Sequence, residues 1–146
     1  MDRVDCRPLM IYGALFSSKL VLEGRFAEAV ETATREVATQ PEEPEAYFNR
    51  AQALTALNRF EEAVADYEKA LSLDDSASSV DPETIDDELF FALRSSAAAR
   101  KDDPEAAIGI LEHYRRILPT GRHLDDIAKW ADSFKGVETV WYRERA

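Results

Sequence analysis

The sequence predicts an all-α fold, an α-α superhelix of three helical hairpins closed by a C-terminal capping helix. Three observations carry this expectation. The block Gly24-Arg25-Phe26-Ala27-Glu28-Ala29-Val30 returns 34 residues later as Asn58-Arg59-Phe60-Glu61-Glu62-Ala63-Val64. A third copy, Asp102-Asp103-Pro104-Glu105-Ala106-Ala107-Ile108, follows after the same period plus ten extra residues. Apolar side chains within each copy fall three or four apart, the spacing of a buried helical face. A fixed period in the twenty-to-fifty range signals stacked supersecondary units, each too small to bury its own apolar face.

The elements follow in order. In the second copy Tyr47, Ala51 and Leu54 form one helical stripe, Asn58 supplies a turn, and Phe60, Ala63, Val64, Tyr67, Ala70 and Leu71 form the next stripe. Small residues recur at Ser17, Ala51 and Ser95, and again at Ala29, Ala63 and Ala107. Helices that cross closely need small side chains at the crossing. Their recurrence with the phenylalanine and the turn residue separates this from mere helix propensity. Pro41 closes the first copy and Pro119 the third, while Asp75 stands at the matching place in the second.

These residues give the chain a resemblance to the tetratricopeptide repeat family, whose 34-residue pattern is W-x2-L-G-x2-Y…A-x3-F…P. The second repeat, residues 44–77, fits best, with Arg50 at a place usually apolar and Asp75 for the closing proline. The first, residues 10–43, has Gly13 where a large aromatic is usual and Glu36 where a small residue is usual. The third, residues 88–121, keeps Phe91, Ser95, Ala107, Leu111 and Pro119, while Pro104 and Tyr114 depart. The whole of residues 1–146 is thus expected to be one domain, with an acidic insertion at about 76–87 and a capping helix and tail at 121–146.

Composition narrows the function classes. The chain has 146 residues, 45% of them apolar and 32% charged, an ordinary globular balance. Its net charge of −11 repels phosphate backbones and anionic membranes, so no nucleic-acid partner and no membrane insertion is expected. No apolar run approaches the ~18 residues of a bilayer span. The apolar stretch 8–16 has mixed charges before it and no clean cleavage site after it, so a cytoplasmic location is expected over secretion. Cys6 is the single cysteine, which excludes an internal disulfide and multi-cysteine zinc sites.

No residue set points to catalysis, a metal or a cofactor. His113 and His123 lie ten apart, without the i, i+4 spacing of a helical metal pair. The adjacent pairs Glu61-Glu62, Asp102-Asp103 and Asp125-Asp126 diverge on a helix and make no acid/base couple. Gly-rich phosphate loops and G-x-S-x-G are missing.

The insertion concentrates charge. Residues 74–88 hold seven acids and no base, which is seven of the eleven net negative charges. Asp81-Pro82 has the form of an N-cap followed by proline at the first helical position. Residues 74–80 therefore read as a loop, and Pro82 onward as a lengthened first helix of the third repeat. Asp81, Glu83, Asp86 and Asp87 read either as first-turn acids that favour the helix dipole or as a docking patch for a basic partner. The alternation and glycine of a calcium loop are missing.

After Pro119, Leu124, Ile127, Ala131 and Phe134 form the stripe of a capping helix, with Asp125, Asp126, Lys129 and Asp132 on its wet face. Lys135-Gly136 is expected to interrupt it. Val137, Val140 and Trp141 then form a short apolar set, read as docking on the chain's own groove, over a homodimer contact or a frayed tail.

The resemblance implies a concave groove lined by the first helix of each repeat, where a peptide or helix of another protein lies. The residues it assigns to that lining are Ile11, Leu15, Ser18 and Leu22, then Glu45, Phe48, Asn49, Gln52 and Thr55, then Leu89, Leu93, Ser96 and Arg100. Members that grip a terminal carboxylate use a lysine/asparagine/arginine clamp. Here only Asn49 fits, with Ala14, Ser18, Leu89 and Leu93 at the other places, so that subclass is rejected. The expected function is a non-catalytic protein-interaction adaptor. The alternatives are a secretion-type chaperone and a self-assembling subunit that uses its C-terminal tail.

Overall fold

The computed structural model describes residues 15–73 and 80–145, with backbone alone for 136–145. Among the described residues there are seven helices and no strand: α1 (Phe16–Leu22), α2 (Phe26–Thr39), α3 (Pro44–Ala56), α4 (Phe60–Ser72), α5 (Pro82–Ala98), α6 (Pro104–Ile117) and α7 (Leu124–Arg145). The all-α expectation holds. The chain divides into two compact units, Met1–Glu88 and Leu89–Ala146.

In the first unit, α1 packs on α2, α2 on α3 and α3 on α4, and α1 also touches α3. The turns use one device twice. Gly24 has φ 77° and Asn58 has φ 62°, so both stand in the left-handed region at the same repeat position. Glycine and asparagine are the residues that tolerate it. Arg25 and Arg59, next in line, each grip the carboxylate three residues on. Nε and Nη2 each donate to a carboxylate oxygen, at 2.7 Å to Glu28 in the first case and at 2.8 Å to Glu62 in the second. Pro44 and Pro104 open their helices at a position where no amide donor is needed, with Glu43 and Asp103 as side-chain caps.

The small residues sit where the period predicts. Ala29, Ala51, Ala63 and Ala107 are wholly buried, as is Ser17, while Ser95 is half-buried. Leu20, Ala29 and Ala53 form a core cluster flanked by Val21, Phe26 and Val30, so α1, α2 and α3 meet through one alanine-lined contact. Leu54 of α3 is buried at 2% exposure, and truncation of such a leucine costs about 2–5 kcal/mol.

In the second unit, α6 packs on α7. Phe90, Tyr114 and His123 form a ring cluster. Phe90 and His123 stack at 4.3 Å between centroids, and Tyr114 meets both edge-on. The Tyr114 hydroxyl accepts a hydrogen bond from the His123 amide at 2.9 Å. Gly121 lies directly against that hydroxyl, and a Cβ there would collide with it. Ile127 and Ala131 of α7 are buried and Leu124 and Phe134 half-buried, as the capping stripe requires.

Two expectations are corrected. Lys135-Gly136 does not interrupt the last helix, since α7 runs on to Arg145. A single glycine costs a helix only about 1 kcal/mol, too little to end one that flanking residues continue. The other correction concerns the groove and is described below. The side chains of 137–146, the loop residues 74–79, and Ile11 and Ala14 lie outside the described residues.

Candidate interaction surface

Helix α3 was expected to present one buried stripe and one open stripe. It is instead buried on most sides: Glu45, Phe48, Asn49 and Thr55, placed on the open face by the sequence, are 6%, 8%, 4% and 9% exposed. Phe48 turns edge-on to Tyr67 of α4, with centroids 5.9 Å apart. Of the α3 groove set, Gln52 remains half-open.

A polar network offsets the burial of Asn49 and Glu45. The Asn49 amide donates to the Ser17 hydroxyl at 2.9 Å and to the Ser18 hydroxyl at 2.8 Å. Glu45 accepts from the Leu15 amide at 3.1 Å and the Ser18 hydroxyl at 2.8 Å. Glu36 of α2, at the position where a small residue is usual, accepts from both the amide and the hydroxyl of Ser17. Two carboxylates thus receive the first donors of α1, groups that a helix cannot satisfy internally. The network also sets the register. Leu15 pairs with Glu45 and Ser18 with Asn49, so α1 and α3 run parallel, and one turn further lie Leu22 and Gln52. Leu22 is 87% exposed.

Arg50, the other departure from the repeat pattern, ties three helices together. Its Nε and Nη2 donate to the two Asp66 oxygens at 2.7 and 2.9 Å, and Nη1 donates to the Thr34 hydroxyl at 3.3 Å. The guanidinium also stands 5.9 Å from the centre of the Tyr47 ring. The hydrogen bond to Asp66 raises the Arg50 pKa above its ordinary value. Beside this pair a shallow hollow of about 350 Å³ lies between α2, α3 and α4, with Val30 and Leu54 in its wall.

Tyr67 is wholly enclosed, and burial pushes its phenol well above the ordinary range. Its hydroxyl makes no hydrogen bond of ordinary length among the described residues, although Thr55 and Glu88 stand near it, and the Thr55 hydroxyl donates to the Ala51 carbonyl at 2.8 Å. Glu88 lies close by, and its carboxyl is raised by burial first and then by the charge of Asp87.

In the second unit, Leu89 and Leu93 are at 0% and 2% exposure and belong to the core, not to an open lining. Ser96 is half-buried and Arg100 exposed. Among the insertion acids, Asp81, Glu83 and Asp87 are exposed, whereas Asp86 is buried at 8% and cannot face a docking partner. Asp81 accepts from the Glu83 amide at 3.1 Å, the capping geometry expected of Asp81-Pro82. His123 pairs through Nδ1 with Asp126 at 3.0 Å inside the ring cluster. Among the described residues no cluster of three histidine, cysteine or carboxylate side chains could hold a metal ion, and no helix is long and apolar enough to cross a membrane.

Sequence reasoning missed the Ser17/Ser18/Glu36/Glu45/Asn49 network. Its one visible trace was Glu36 standing where a small residue is usual.

Helical hairpins with alanines at their crossings and a left-handed turn repeated at a 34-residue interval call for comparison with known repeats. Residues 44–76 match the tetratricopeptide repeat. The matched stretch is α3, its turn and α4, the hairpin that carries Arg50, Asp66 and Gln52. The hairpin before this stretch keeps the left-handed turn at Gly24 and the small crossing residues Ser17 and Ala29, whereas α6 keeps the crossing residue Ala107 without a left-handed turn before it. No curated protein matches the chain.

Proposed function

We propose that the protein is a non-catalytic adaptor of the cytoplasm that holds a peptide or helix of a partner protein against its first helical hairpins. The observation that carries this reading is the match of residues 44–76 to the tetratricopeptide repeat, and the exposed Leu22 and half-open Gln52, one turn beyond the Ser18–Asn49 pairing, support the choice of strip. Leu22 offers apolar area to a partner. Gln52 has both a donor and an acceptor for a partner backbone. Ser18 and Leu15, half-buried behind them, hold the strip in place through Glu45. The buried Phe48, Asn49 and Thr55 support this strip from beneath.

Pull-down with Leu22→Asp/Gln52→Ala tests the reading against Glu68→Ala, an exposed position on α4. Loss of a discrete partner with the first variant alone is the expected result. Equal capture by both variants contradicts it.

A further inference from the structure

Among the described residues of the second unit, the Arg94 cation has rings but no carboxylate beside it. Arg94 of α5 occupies the repeat position of Arg50, 44 residues on. Arg50 is answered by Asp66, but the residue 44 positions after Asp66 is Ile110. Arg94 makes no ion pair among the described residues. Three rings hold its guanidinium instead: Phe90 at 5.7 Å, Phe91 at 5.4 Å and Trp130 at 5.4 Å from the ring centres. Phe91 is 46% exposed, so this platform reaches solvent.

The platform adjoins a trough with an apolar strip and a charged wall. Trp130 also lines an open groove of about 790 Å³, together with Pro104, Ile108 and Phe134. Lys101 and Lys135 stand in its wall, as do Asp102 and Glu105, and Lys135 pairs with Asp132 at 3.3 Å.

We infer that this surface docks a segment of another protein carrying one side-chain carboxylate beside an apolar residue. The carboxylate takes the place that Asp66 fills for Arg50, as a bidentate pair with Arg94. The rings fix the guanidinium in advance, which reduces the ordering cost of binding. The neighbouring apolar side chain enters the trough beside Trp130. In the trough wall Asp102 and Glu105 offset Lys101 and Lys135, so the wall adds no net attraction for a second carboxylate. The surface lies wholly in the second unit and is independent of the Leu22/Gln52 strip.

The test is selection of a random twelve-residue phage peptide library on the full chain, then binding of the selected peptides, synthesised with amidated C-termini, by fluorescence anisotropy. The expected peptides carry a single Asp or Glu next to a large apolar residue. Arg94→Gln weakens them at least tenfold, and so does the peptide Asp→Asn or Glu→Gln change. The two changes together cost no more than about twofold beyond either alone. Phe91→Ala, at an exposed position, weakens binding by a smaller factor, and circular dichroism confirms that each variant is folded. In a Trp141→Phe background, binding shifts the emission of Trp130. Absence of selected peptides, peptides indifferent to Arg94→Gln, binding that requires a free C-terminal carboxylate, or a concentration-dependent dimer abolished by Arg94→Gln would each overturn the inference. Loss of binding in Leu22→Asp/Gln52→Ala but not in Arg94→Gln would assign the peptides to the first site and refute this one.

Discussion

Removing Arg50 from beneath Asp66 is the most informative single perturbation of this molecule. The Asp66 side chain is 10% exposed and that of Arg50 is 22% exposed. Arg50→Leu restores the apolar residue usual at this place in the repeat, but it leaves a buried carboxylate with no cation. Breaking a fully buried pair costs about 3–5 kcal/mol. The partial exposure of Arg50 lets water reach the site, so a loss of about 2–3 kcal/mol is expected. Asp66→Ala is milder, about 1–2 kcal/mol, because Arg50 keeps Thr34 and the Tyr47 ring and can extend to solvent. The double variant removes both charges and should recover most of the loss, with a coupling of about 1–3 kcal/mol. Urea denaturation followed by circular dichroism measures all four corners, with the m-value checked for constancy. A coupling below about 0.3 kcal/mol would refute the argument, since that is the scatter of independent sites.

Three further expectations follow from other places in the fold. Gly121→Ala forces a Cβ into the Tyr114 hydroxyl and should cost about 1–3 kcal/mol, read from the urea midpoint, with the Tyr114→Phe background relieving part of it. Asn58→Ala places an ordinary residue in the left-handed region and should cost about 1–2 kcal/mol, while Asn58→Gly is close to neutral in the same assay. The Glu88 carboxyl is raised in the folded state, so the folded form binds its proton more tightly than the unfolded chain does. Its destabilising contribution therefore sets in as pH rises through the unfolded carboxyl range and is complete above the raised folded value. Glu88→Gln should stabilise the protein at pH 7, with the gain vanishing below about pH 4 in melting curves taken across pH.

The hairpins were legible because their causes are local and repeated. Phe26 and Phe60, the alanine crossings, Gly24 and Asn58 each act within a few residues of themselves, so a periodic pattern exposes them. Burial of the second side of α3 was not legible. Phe48 and Thr55 lie on the face that helical periodicity leaves open, and the sequence does not say that α4 and its Tyr67 ring close over Phe48. Asn49 and Glu45 look like solvent-facing residues until Ser17 and Ser18 are brought against them from 31 and 27 or more residues away. Such pairings depend on which turns of two parallel helices align, and composition carries no record of that. Continuity of α7 through Gly136 was missed for a different reason: glycine weakens a helix without obliging it to stop. In the third repeat, Leu89 and Leu93 were assigned to a lining because the resemblance places them there, but large apolar side chains are driven to full burial wherever packing permits.

The central claim is that the open end of the first two hairpins grips another polypeptide. Site-directed photocrosslinking tests it most directly, with p-benzoylphenylalanine placed at Gln52 in one protein and at Glu68 in another, each irradiated in native extract. The account predicts one discrete adduct from position 52 that Leu22→Asp abolishes, and none at position 68. Adducts of equal yield and pattern at both positions, or none at position 52, would contradict it.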